Sequence, residues 1–175
     1  TAESLHNLAL LYWNLGMYDK AEPLYIKAHG IREKLLGSEH PDTIVNLHHL
    51  GIMYWNQGDF ERAEALFLQT KKLFEKVMGD DHANIAAACI GLGELYSQQG
   101  KFELAEPLFL QGLQLYEKVR DAEHPDIALS LNELAIMYTD QGLYTKAEPL
   151  HSRALHIREK VLGEKHPDTA VSLNN

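Results

Sequence analysis

The chain has 175 residues, 45% of them hydrophobic and 23% charged, a composition that fits a folded protein and excludes intrinsic disorder. A net charge of −9 leaves no basic field for nucleic-acid phosphates and argues equally against anionic membranes. No run approaches the ~18 apolar residues of a membrane span, no signal-peptide pattern opens the sequence, and the single cysteine, Cys89, rules out an intrachain disulfide and fits a reducing, cytoplasmic setting.

Read from the start, Leu5, Leu8, Ala9 and Tyr12 recur at the spacing of one helix face, predicting a helix A over about 1–15. Gly16 stops it by taking the left-handed conformation. Helix B follows over about 18–36, with Ala21, Leu24, Tyr25, Ala28, Ile31 and Leu35 as its apolar stripe. At 1.5 Å per residue its length is roughly 27 Å. Gly37 ends it, and Ser38-Glu39-His40-Pro41-Asp42 turns the chain into the next helix. Pro23, Pro107 and Pro149 are expected near the start of helix B, where a missing N–H costs least.

This unit recurs every 42 residues, as Gly16, Gly58, Gly100 and Gly142 show, together with Tyr12, Tyr54, Tyr96 and Tyr138 and His40, His82, His124 and His166. A fixed period of this kind predicts an all-α array of stacked helix pairs. The repeats are 1–41, 42–83, 84–125 and 126–167, with 168–175 starting a fifth. Thr1-Ala2-Glu3-Ser4-Leu5-His6-Asn7 matches Thr169 to Asn175, so the chain starts and stops at one phase, and the expectation is a fragment of a longer array. The third repeat reads Val119-Arg120-Asp121-Ala122 where the others have an apolar residue and glycine, so its helix B should finish differently.

These residues resemble a tetratricopeptide repeat: a small residue, tyrosine three later, then two further small residues, as in Ala9, Tyr12, Ala21 and Ala28. The usual unit has about 34 residues. The longer form here is similar to the repeats of kinesin light chains and related bacterial proteins, with shared stretches such as Ala21-Glu22-Pro23-Leu24, His166-Pro167-Asp168 and Ser130-Leu131-Asn132. The resemblance covers essentially the whole chain. It implies a right-handed superhelical solenoid whose A helices line a concave groove that binds a peptide or helix of a partner protein.

With positions 5, 8, 9 and 12 buried against neighbours, the adjoining stripe of each helix A should face that groove. It comprises Glu3, His6, Leu10, Trp13 and Asn14; His48, Ile52, Trp55 and Asn56; Ile90, Glu94 and Gln98; and Asn132, Ile136 and Asp140. Trp13 and Trp55 make its first half aromatic, a frequent form of binding anchor. All 16 lysines and arginines lie in helix B or the links. Many family members hold an acidic chaperone tail with cations on helix A. This chain lacks them, so an apolar or basic segment is the expected ligand. A second possibility is end-to-end stacking as a structural, self-assembling scaffold.

The link histidines, one per repeat, are read as structural caps of the next helix, too far apart to share an ion. His6 and His48 are expected as groove neighbours whose protonation near pH 6 would tune binding; two histidines alone make a poor metal site. No glycine-rich phosphate loop, metal-ligand cluster or nucleophile signature is present, and Cys89 stands at a core leucine position, so no enzyme activity and no cofactor are expected.

Overall fold

The structure, a computed structural model, describes residues 1–163 and 166. Among these, eight α-helices alternate short and long: α1 (Ala2–Asn14), α2 (Tyr18–Leu36), α3 (Pro41–Asn56), α4 (Phe60–Met78), α5 (Ala83–Gln98), α6 (Phe102–Val119), α7 (Pro125–Asp140) and α8 (Tyr144–Leu162). They fall into two compact units, Thr1–Asp80 and Asp81–Asn175. The first unit holds α1 to α4, the second α5 to α8, each being two helix A–helix B pairs. The expected fifth-repeat start at 168–175 lies outside the described residues.

The turn inside every pair is made by glycine. Gly16, Gly58, Gly100 and Gly142 have φ of 70°, 79°, 71° and 72°, and the next N–H donates back to the repeat tyrosine's carbonyl, as Met17 does to Tyr12 at 2.8 Å and Leu143 to Tyr138 at 2.8 Å. This is the left-handed C-terminal closure of an α-helix. Helices α2, α4 and α8 end on a glycine of positive φ but extended ψ, Gly37, Gly79 and Gly163. Helix α6 has none there and stops at Val119, with Arg120 extended at φ −122°.

The link histidines act as caps. His40, His82 and His124 each accept, through Nδ1, the N–H two residues on, at 3.2, 3.1 and 3.1 Å. They satisfy a donor that a helix start would leave open. The prolines depart from expectation. Pro23 is the sixth residue of α2, beyond the first turn, and Pro107 and Pro149 likewise lie inside α6 and α8. Each therefore removes a donor that the helix ladder would have used.

Within each unit, helix B packs on its own helix A and on the A helix that follows. Ala9, Ala21 and Ala28 are fully buried in the first repeat, and Ala135, Ala147 and Ala154 are buried in the fourth. Where helix A has glycine, the ring opposite fills the space. A Cβ on Gly51 would sit 3.0 Å from the Phe67 ring, and one on Gly93 2.9 Å from the Phe109 ring. A polar clamp joins consecutive pairs. Tyr54 Oη donates to Glu22 Oε1 at 2.6 Å, and Tyr138 Oη to Glu106 Oε1 at 2.6 Å. A cation completes each clamp: Arg62 lies 4.0 Å from the Tyr54 ring centre and 3.2 Å from Glu22, and Lys146 4.7 Å from the Tyr138 ring and 3.4 Å from Glu106.

The first helix differs in exposure. Leu8 is 40% and Leu11 53% exposed, whereas their counterparts in α3, Leu50 and Met53, are buried. The expectation that position 8 is buried in every repeat thus fails in α1, because the side that α2 covers on α3 has no such cover on α1.

The close approach at Gly93 yields a direct test. Phe109 is buried and its ring is rigid, so Gly93→Ala should lower stability by about 1–3 kcal/mol in urea denaturation. An unchanged midpoint would show that the ring can yield.

Candidate functional site

The expected groove residues divide by depth. In the first unit, Glu3, Asn14 and Asn56 are exposed, while Leu10, Trp13, His48, Ile52 and Trp55 are half-buried. In the second, Gln98 and Asp140 are exposed, and Glu94 and Ile136 are half-buried. Three of the set are not surface residues. His6, Ile90 and Asn132, which occupy one repeat position, are only 8%, 5% and 4% exposed. That position packs on its own helix B: Ile90 Cδ1 lies against Gly112, where an added Cβ would meet it at 2.7 Å, and the His6 ring meets Tyr25 edge-on at 5.3 Å.

The pairing of His6 with His48 also needs correction. His6 lies against His49, ring centres 4.9 Å apart, while His48 turns to Phe67 at 5.3 Å. His49 has no counterpart among the expected site residues because adjacent helix positions point about 100° apart, and the apolar stripe alone does not say which of the two turns inward. Burial, foremost, holds His48 and His49 down to about 4, and it lowers His6 as well. His48 and His49 therefore remain neutral near pH 6, so protonation of His48 there does not supply the expected tuning. Among the described residues, no three metal-ligating side chains are placed to hold one ion.

In the second unit the corresponding region is acidic. Glu94 on α5 is buried enough, with Glu133 nearby on α7, that its carboxyl is pushed up to about 8. Glu133 is raised too, mainly by burial, against a hydrogen bond from Asn132 (Nδ2 to Oε1, 3.4 Å) and the positive charge of Arg158. Glu94 was legible as a polar residue in an apolar stripe; Glu133, one position beyond that stripe, was not. Cys89, as its leucine-like position implied, is fully buried, with Sγ 3.4 Å from Gln111 Oε1.

Helices α1, α3, α5 and α7 contain no lysine or arginine. In the first unit their uncovered faces present indole and aliphatic surface, and in the second a pair of carboxyl groups. Such faces can take up apolar side chains and cations, and they offer no cationic partner to an incoming carboxylate. No helix among the described residues is long and apolar enough to cross a membrane.

Comparison with known proteins accords with this architecture. Tetratricopeptide-repeat profiles match residues 1–76, 47–118 and 127–168. No curated protein matches the chain. Among solved structures, BtubC (BKLC) from P. vanneervenii superposes with a TM-score of 0.80 at 25% identity, over 95% of this chain and 66% of its own. A kinesin light chain-like protein of Podosopora anserina, built of nearly identical TPR-like repeats, gives 0.78 at 29% identity, over 97% of this chain and 81% of its own. A Rap protein complexed with Competence and Sporulation Factor shares the fold, with a TM-score of 0.79 at 16% identity, over 99% of this chain and 52% of its own. With profiles spanning 1–118 and 127–168, the chain belongs to the tetratricopeptide-repeat family.

Proposed function

We propose that this chain is a protein-interaction module whose A-helix faces receive a segment of a partner protein, apolar or basic in character, in a cytoplasmic setting. The observation that carries this reading is the polar chemistry of those faces: no cation on α1, α3, α5 or α7, and two partly buried carboxyl groups, Glu94 and Glu133, on neighbouring helices of the second unit. Trp13, Leu10, Trp55 and Ile52 of the first unit supply the apolar anchor, flanked there by Glu3, Asn14 and Asn56, while Gln98, Ile136 and Asp140 belong to the same stripe on the A helices of the second unit. At neutral pH Glu94 keeps its proton. A lysine or arginine side chain entering beside it stabilises the ionised form and displaces that proton.

Calorimetric titration with two amphipathic peptides of the same apolar pattern, one bearing lysines and one bearing glutamates, tests the charge preference. The lysine peptide should bind more tightly, and its affinity should rise roughly tenfold from pH 7 to pH 9 as Glu94 ionises while lysine stays charged. Glu94→Gln should abolish that rise, and Trp13→Ala with Trp55→Ala should weaken both peptides. Tighter capture of the glutamate peptide would refute the proposal.

A second reading, end-to-end self-association, is favoured by one observation: Leu8 and Leu11 on α1 and Leu15 just after it are exposed, whereas Leu50 and Met53 at the first two of these positions are buried in α3. Sedimentation velocity of the chain should then show concentration-dependent oligomers that Leu11→Glu disperses. A monomer at all concentrations would remove this reading.

A further inference from the structure

In the first unit, a chain of aromatic rings crosses from α1 to α4. His6 on α1 meets Tyr25 on α2 at 5.3 Å and 76°, and His49 on α3 at 4.9 Å. His49 also lies 6.5 Å from Tyr25 and 6.3 Å from His48, and the His48 ring lies 5.3 Å from Phe67 on α4. All four helices of the unit thus share one cluster containing three imidazoles.

The polar atoms of this cluster are unevenly satisfied. Asn46 Nδ2 donates to the Tyr25 carbonyl at 2.9 Å, which fixes the amide and turns Oδ1 toward His6 and Arg32. His6 Nδ1 lies 3.0 Å from that oxygen and so carries the hydrogen. Arg32 Nη1 donates to the same oxygen at 3.2 Å and to the Asp42 carbonyl at 3.3 Å, and it stands 3.4 Å from His6 Nδ1 as a neighbour of like polarity. The Tyr25 hydroxyl and the Nδ1 atoms of His48 and His49 are sealed from solvent and have no hydrogen-bond partner.

The charged and titratable groups facing the rings can be named helix by helix. From α1 there is His6 itself, from α2 Tyr25 and Arg32, from α3 Asn46 and the two histidines, and from α4 the apolar Phe67. Glu3 and Asp42 line a surface recess beside Arg32, and no ion pair joins either of them to His6, His48 or His49. The only fixed charge against the rings is therefore positive. A proton added to this cluster meets a cation, a second imidazole and a sealed apolar wall.

We propose that this cluster is an acid-sensitive catch: it holds α1, α2, α3 and α4 together while its imidazoles are neutral, and their protonation unlatches the first unit. The direction follows from linkage. An imidazole in the unfolded chain takes up its proton near 6.5, whereas His48 and His49 in place resist protonation until about 4. Between those values the unfolded state binds more protons, so stability of the first unit is complete above about pH 6.5 and falls as pH drops toward 4. The second unit replaces the pair with Ile90 and Gly91 in the third repeat, and with Asn132 and Glu133 in the fourth, so it lacks this device.

The chain's tryptophans, Trp13 and Trp55, both lie in the first unit, so tryptophan fluorescence reads that unit alone in the intact chain. Urea titrations followed by fluorescence at pH 7.5 and pH 5 should show its folded-to-unfolded ratio falling on the order of thirtyfold for each of His48 and His49. His48→Ile with His49→Gln should remove most of that loss, while His40→Gln, at a capping histidine, should retain it. A pH-independent midpoint in the parent, or the same acid loss in the double variant, would overturn the proposal. Should the double variant fail to fold, imidazole nitrogen shifts of the parent decide: rings still neutral at pH 5 in the folded chain support the catch, and rings protonated there without unfolding refute it.

Discussion

The approach of helix A to helix B at a residue with little or no side chain is the constraint on which the remaining contacts rest. At Gly51 and Gly93 the backbone itself forms the wall against which Phe67 and Phe109 pack, and a single Cβ would intrude on either ring. That closeness fixes the distance and rotation within a pair. The rotation in turn places the tyrosine three residues on in α3, Tyr54, with its hydroxyl on the preceding helix B. In the first unit Tyr54 therefore reaches Glu22 of the preceding helix B, and in the second Tyr138 reaches Glu106 in the same way. Burial supplies most of the favourable free energy of such a stack, while these short polar contacts fix its register.

Much of this was legible in the sequence because it is written in periodic positions. The glycine between helices, the alanines of the core and the link histidines each recur at one phase, and each has a local physical role that needs no knowledge of distant partners. The clamp was less visible. Tyr54 and Glu22 both belong to the repeated pattern, yet nothing in a single repeat says that they meet across a boundary. The prolines misled for another reason: helix B starts at residue 18 as expected, and counting from there already leaves Pro23 past the N–H groups that a helix start leaves free. At the candidate site, an unbroken stripe over 3, 6, 10 and 13 treated one position as open that the structure closes. His6, Ile90 and Asn132 sit at the seam between stripe and core, and their burial depends on how far helix B leans over them.

The two units solve the same packing problem with different chemistry. Where the first unit sets His48 and His49 side by side, the fourth repeat has Asn132 and Glu133. One arrangement resists gaining a proton, and the other, through Glu94 and Glu133, resists losing one. Both follow chiefly from removing ionisable groups from water, an effect that the charge of Arg158 near Glu133 offsets only in part. Residues at one structural position thus acquire opposite titration behaviour from a common backbone, which separates the role of the scaffold from that of its decoration.

The clamps and the helix-end ion pairs share one further property, a constant offset along the chain. Tyrosine follows its glutamate by 32 residues in both units, and Lys76, Lys118 and Lys160 follow Glu39, Asp81 and Glu123 by 37. Genetic loss or duplication of one whole 42-residue module would rejoin equivalent partners, whereas a change of any other length would leave tyrosines and lysines facing the wrong groups. Lineages carrying such a gene can therefore lengthen or shorten the protein in whole-module steps without inventing a new junction.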